Sequence, residues 1–289
     1  MAFTQSDYGT IASIFFLGGS LGLALNILVL YNMLKLPNFK CAFGYISLSH
    51  SISALGNNMV FAFALAPMTL IDVLLHSSTV GSRAGLLIYM LWQSGMFSHV
   101  LMAVNRFVSV YFPRSDHFVM TKRFACIAIG VVWVASAATS LIQLIPGCEN
   151  FLVLDTFHFT FNNNVCGALL GLYADFMVSI TCIVIVVVLD FFTFLKIRKN
   201  RVRIDGSEPV VSKENIQFFY QSAVQGLVVF FEIFTYFYVS PNISNIWIRL
   251  SLSTCLLMAV NVVDPVIIIY FSDDIQENLK HAISRYEIS

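Results

Sequence analysis

Asn105-Arg106-Phe107 closes an apolar stretch, residues 85–111, long enough to cross a bilayer as one helix. Arginine keeps its charge in any protein environment, so this helix delivers fixed positive charge to the edge of hydrocarbon. Such a charge can grip a counter-ion or a partner; the alternative is a side chain snorkelling to headgroups. A second set of polar residues lies inside apolar runs: Asn26, His50, Asn261 and Asp264, the last followed by Pro265. At 1.5 Å per residue, Asn26, His50 and Asp264 come about 10–14 Å in from one surface. Pro265 frees a backbone carbonyl nearby. One hydrogen-bonded cluster is expected to join three helices here, either as static glue worth about 1 kcal/mol per contact or as a switch that lets a helix move.

A third set lies toward the opposite surface. Asn58, Tyr89, Trp92, Gln93, Met96, Asp175, Glu232 and Tyr236 are the candidate wall of a mostly apolar cavity with a few polar anchors. Glu232 sits about 10 Å deep, too far in for a free carboxylate without a partner. The plainer reading makes the aromatic residues core and hydrogen-bonds Glu232 to a neighbouring helix. No nucleophile triad, paired carboxylates, glycine-rich dinucleotide motif, P-loop or HExxH is present. His99 is read as a neutral interhelical donor with no metal-ligand partner spaced beside it. Asp190 reads as interfacial. No enzyme activity, metal or cofactor is expected.

The elements that position these residues follow from composition. The chain is 58% hydrophobic and 11% charged, with 27 Phe and no net charge. Its mean hydropathy is +0.80. Soluble domains carry roughly 25% charged residues, so an ordinary globular protein is excluded, and zero net charge argues against nucleic acid as a partner. Seven apolar segments can span: 9–34, 42–67, 85–111, 124–146, 167–195, 216–240 and 246–271. Short connections make residues 1–289 a single all-α membrane domain. Residues 1–8 hold no Lys or Arg, so the first segment is expected to stay as an anchor.

Lys and Arg set the orientation. One set of ends carries Lys35, Lys40, Arg114, Lys122, Arg123, Lys196, Arg198, Lys199, Arg201, Arg203, Lys213, Lys280 and Arg285; the other carries Arg83 and Arg249. The first set is expected in the cytoplasm, the N-terminus outside and the C-terminus inside. Asn242-Ile-Ser, a glycosylation acceptor, then falls outside. So do the loop cysteines Cys148 and Cys166, either bridged, for roughly 3 kcal/mol, or free. Cys41, Cys126, Cys182 and Cys255 read as packing residues. Between the loop cysteines, the alternation Phe157-His-Phe-Thr-Phe161 suggests a strand or hairpin over the bundle mouth. The loop 196–213 is basic and solvated. After Ser272-Asp273-Asp274, one-face spacing of Ile275, Leu279, Ala282, Ile283 and Tyr286 predicts a short amphipathic helix over 273–286, lying on the bilayer.

Seven spans, Asn26, Asn105-Arg106-Phe107, Trp133 and Asp264-Pro265 together resemble a rhodopsin-like G-protein-coupled receptor. More narrowly, the chain resembles the nematode serpentine receptor class X family. Phe43-Gly44, Ser47-Leu-Ser-His50, Ala66-Pro67, Ser98-His99, Ala103-Val104 before Asn105, and Tyr111-Phe-Pro113 carry this resemblance. Asp190-Phe-Phe-Thr193 before Lys196, Phe218-Phe-Tyr-Gln221 and Gln225 extend it over nearly the whole chain.

The resemblance implies a plasma-membrane chemoreceptor, with sensory cilia as a fitting location. It would bind a small molecule from outside and activate a heterotrimeric G protein. Asn105, Arg106, Phe107, Arg114, Lys196 and Arg198 would then meet the G protein. Asn105 stands where the wider pattern has an acid, so Arg106 lacks a neighbouring countercharge. No cysteine opens the third segment, helix 6 has no Trp-x-Pro, and helix 7 has no lysine for a retinal Schiff base. The alternative reading is a transporter or ligand-gated channel using His50, His99, Glu232 and Asp264 as a polar path. An odd helix count and no detectable repeats speak against inverted halves.

Overall fold

The computed structural model describes residues 3–112, 121–202 and 213–287. Among them, seven helices are long and apolar enough to cross a bilayer: α1 Gln5–Lys35, α2 Ala42–Ile71, α3 Thr79–Tyr111, α4 Lys122–Leu144, α5 Val165–Lys199, α6 Ile216–Asn242 and α7 Ile246–Phe271. An eighth, α8 Asp273–Glu287, follows as the one-face spacing predicts. Arg114, Arg203 and most of the basic loop after α5 lie outside the described residues.

Side-chain caps explain where several helices begin. Thr4 and Asp7 form a reciprocal capping box at α1, and Ser78 caps α3. Thr121, Asn164 and Asn245 cap α4, α5 and α7. Each satisfies backbone N–H groups that a helix start leaves without partners. The Ser78 cap starts α3 six residues before the apolar run at 85. α2 continues past Pro67 because a widened π turn, Phe61–Leu65, absorbs the missing proline N–H. Similar turns interrupt α5 at Leu170–Met177, α6 at Thr235–Val239 and α7 at Ser251–Cys255, all in the half of the bundle that carries the disulfide.

Polar side chains are gathered inside a largely apolar core and the outer surface is apolar, as a lipid solvent demands. Buried side chains include Asn26, His50, Asn58, Gln93, His99, Arg106, Glu232 and Asp264, whereas Leu17, Val131, Val134 and Tyr270 face outward. Cys126 is also exposed, so it packs against surroundings rather than core. Gly22 permits the close approach of α1 and α2: a Cβ there would collide with the Asn58 side chain.

Between α4 and α5 an antiparallel hairpin closes one end of the bundle. β1 Asn150–Val153 pairs with β2 His158–Phe161 in the register Asn150↔Phe161 to Val153↔His158. Cys148 and Cys166 are bridged, with Cα atoms 5.2 Å apart. Phe157 adopts a left-handed φ of 47° and is fully buried. Its ring meets Phe3 edge-on at 5.3 Å and His76 at 5.9 Å. Thr254 of α7 donates to the Phe157 carbonyl, and Tyr236 of α6 donates to that of Phe159 at 2.7 Å. The hairpin is therefore bonded into the helix ends rather than resting on them.

Candidate functional site

Three polar layers lie along the bundle axis. The first is a pocket beneath the hairpin; about 410 Å³ within its bounds is free of protein atoms, part of that being open solvent. α3 contributes Ile88, Tyr89 and Trp92; the hairpin contributes Asn150 and Phe159; α5 contributes Asp175. α6 supplies Glu232, Ile233, Tyr236 and Phe237, and α7 supplies Leu257. Glu232 and Tyr236, one turn apart, thus face the same space. Glu232 is 2% exposed, and its Oε2 has no hydrogen-bond partner.

Five of the eight expected wall residues line this cavity. Asn58, Gln93 and Met96 do not. Gln93 stands behind the wall: its amide donates to the Tyr89 hydroxyl at 2.6 Å and the Ala174 carbonyl at 2.8 Å, and it accepts from Thr139 at 2.6 Å. It therefore fixes Tyr89 and couples α3 to α4 and α5. Met96 packs with Cys182, Ile183 and Val229. Asn58 turns toward α7, away from the cavity. The apolar members Ile88, Ile233 and Leu257 carry no sequence signal that separates wall from core. Asn150 and Phe159 were signalled only through the hairpin pattern.

Two histidines bear on this end from outside the spanning helices. His158 stacks on Tyr236 at 4.4 Å. Burial, with the nearby Arg249 charge, lowers its pKa to about 4. His76 is fully buried and bonded to Thr69 at 2.8 Å. Thr69 gives its own proton to the Leu65 carbonyl at 2.8 Å, so His76 Nε2–H is the donor of the pair. Burial lowers the His76 pKa to about 4, so both rings are neutral near pH 7.

The second layer is the mid-bundle cluster. His50 on α2 and Asp264 on α7 meet at 2.8 Å between Nε2 and Oδ2. Pro265 forbids its N–H bond to the carbonyl four residues back, which is that of Asn261. That carbonyl instead accepts from Asn26 at 3.0 Å and from Asn58 at 3.2 Å. Three helices are thereby joined at one backbone oxygen. His99 is not isolated, contrary to the sequence reading: its ring lies 4.4 Å from that of His50. One ligand atom each from His50, His99 and Asp264 fall within 4.8 Å of one another, an arrangement that can hold a metal ion. The three residues lie on three different helices and converge only in three dimensions, so linear spacing could not show it. The cluster borders a small, mostly apolar pocket whose wall includes Trp92, the residue that also lines the cavity under the hairpin.

The third layer corrects a second expectation. Asp190 is not interfacial but the countercharge of Arg106, with Nη2 and Oδ1 2.7 Å apart. Arg106 is 3% exposed, and its Nε and Nη1 have no partner. The acid absent at Asn105 is thus replaced from α5. Phe107 stacks on Tyr111 at 4.4 Å, and the Lys196 ammonium lies 5.3 Å from the Tyr111 ring centre. Arg198 is exposed on the same end of α5. α8 is tied to this end by Asn38–Asp274 at 2.6 Å and Gln217–Asp273 at 2.8 Å. The whole side is held by polar contacts that reach from α1 to α6.

Residues 16–272 match the family model of the serpentine-type seven-transmembrane G-protein-coupled chemoreceptors, Srx. The chain belongs to this family. It is similar to serpentine receptor class X 45 of Caenorhabditis elegans, 24% identical over 290 residues, which covers 93% of this chain and 80% of that receptor. The fold is similar to squid rhodopsin with a TM-score of 0.69 over 99% of this chain and 88% of that one, at 12% identity. This Srx family member is a multi-pass membrane protein with rhodopsin-like architecture. Family and fold favour a G-protein-coupled receptor over a transporter or channel.

Proposed function

We propose that this receptor detects a small molecule in the cavity beneath the hairpin and activates a heterotrimeric G protein at the Arg106 end. The observation that carries the reading is Trp92, which lines both the cavity and the pocket bordered by the His50–Asp264 cluster. A ligand pressing on one face of that indole acts on the other. Asn26, His50, Asn261, Asp264 and Pro265 then form the switch. Because Pro265 takes away the usual helical donor to the Asn261 carbonyl, α7 can exchange partners there at low cost. Arg106 is released from Asp190 in the signalling state, and Asn105, Phe107, Lys196 and Arg198 offer the surface that a G protein meets. Arg114 is assigned to that surface on sequence grounds.

The driving force is the ligand's differential affinity for two arrangements of the helices; equal affinity would shift nothing. The disulfide end faces outward in this account, with the N-terminus and the exposed acceptor Asn242 beside it. The excess of Lys and Arg on the opposite ends supports that placement in the plasma membrane. A calcium-read ligand screen in cells expressing a promiscuous G protein tests the reading. Ligand-evoked calcium that needs the G protein supports it. Ligand-evoked current that persists without any G protein would overturn it.

A further inference from the structure

We propose that the ligand of this cavity is an organic ammonium cation with an apolar body, held by Asp175 and Glu232. The inference rests on the receptor reading above and adds the chemical class. The cavity presents acceptors in excess. Glu232 Oε2 and the Asn150 side-chain oxygen are both buried and both without a partner. The Asp175 carboxylate lines the same space and makes no hydrogen bond or ion pair among the described residues. Among the described residues no Lys, Arg or His side chain forms part of the wall. The nearest imidazole, His158, lies behind Tyr236 and is neutral near pH 7.

A buried carboxylate without a counter-ion is costly, and two facing one space are more so. Protonation removes that cost by neutralising the acids; a cation supplied from outside removes it while leaving them charged. A primary ammonium brings three donors and no acceptor, matching three acceptors that are all waiting. The remaining wall suits the rest of such a molecule. Trp92, Tyr236 and Phe237 place aromatic faces around the cavity, and a cation beside an aromatic face is attracted by the ring quadrupole. Tyr236 spends its own proton on the Phe159 carbonyl, which leaves the Tyr89 hydroxyl and the Trp92 indole N–H as the donors among these wall side chains, fewer than the acceptors facing them. A neutral odorant or an anion would give the two acids no ionic partner, whereas an ammonium pairs with both.

The test uses the full chain purified in lipid nanodiscs, with melting temperature and tryptophan fluorescence as readouts. The probes are phenethylammonium and cyclohexylammonium, each against its neutral isostere, 2-phenylethanol and cyclohexanol. The cations are expected to stabilise the receptor and the isosteres are not. Asp175→Asn and Glu232→Gln should each weaken cation binding about tenfold or more, the loss of one charge-assisted bond. A second variant needs no soluble ligand: Leu257→Lys, which tethers an ammonium in the cavity, should be tolerated in the native background and strongly destabilising in the Asp175→Asn/Glu232→Gln background. Equal stabilisation by cation and isostere, no stabilisation by either cation, or cation binding that survives the double substitution would overturn the assignment. So would equal destabilisation by Leu257→Lys in both backgrounds. The receptor reading is scored separately, in cells: a neutral agonist whose calcium response survives the double substitution removes the cation and leaves the receptor.

Discussion

Arg106 on α3 and Asp190 on α5 are joined across the bundle at 2.7 Å, although 84 residues separate them in the chain. Both side chains are largely buried, so the pair is a constraint on how the two helices sit, not a surface contact. Removing one partner leaves the other uncompensated, which typically costs about 3–5 kcal/mol in the arrangement that held the pair. A signalling arrangement in which Arg106 meets other partners bears less of that cost.

Asp190→Asn should therefore raise basal G-protein activation by about fivefold or more at matched surface expression, the scale of an ordinary coupling energy. Basal nucleotide exchange measured beside the native receptor checks this. Unchanged basal activity would mean the pair is only structural.

The Asn261 carbonyl predicts a specific non-additivity. Asn26→Ala and Asn58→Ala each remove one of its two donors and should each destabilise by about 1 kcal/mol. Together they leave a buried acceptor with no donor, so the double variant should lose more than the sum. Melting temperatures of the four proteins in one detergent close the cycle. Strict additivity would show that the two asparagines act independently.

His76 gives a pH prediction with a fixed sign. Its pKa falls from 6.5 to about 4 in the folded chain, so the unfolded chain takes up a proton first as pH drops. The stability that its neutral form supports is complete above about pH 6.5 and is lost between there and about pH 4. Linkage sets the loss at about 3 kcal/mol. The fall in melting temperature from pH 7 to pH 4.5 should be smaller in His76→Asn than in the native chain. Equal falls would remove His76 from the acid sensitivity.

The disulfide gives a prediction that joins stability to binding. Cys148→Ser/Cys166→Ser should cost about 3 kcal/mol through unfolded-state entropy. It should also weaken ligand affinity, because Asn150 and Phe159 of the tethered hairpin form part of the cavity wall. A thermal shift with unaltered affinity would confine the bridge to stability.

Much of this architecture is legible in the sequence, for physical reasons that differ by element. Spanning helices announce themselves because lipid tolerates little else across twenty residues. Their ends are less legible: α3 begins at Thr79 because Ser78 caps it, and hydropathy is blind to caps. Glu232 and Tyr236 could be placed together because one helical turn relates them. Asn58 could not be placed, since it sits on a face that only tertiary contact with α7 defines. Asp190 and His99 are hidden from the sequence for the same reason: each is solitary along the chain and has its partner on another helix.

The central claim is that occupancy beneath the hairpin is passed inward to Arg106. Its most direct test is to measure agonist binding and G-protein nucleotide exchange on one Arg106→Gln preparation, using an agonist from the calcium screen. The account predicts affinity within about threefold of the native receptor, well under one charge-assisted bond, and no agonist-driven exchange. Native exchange by that variant would contradict it.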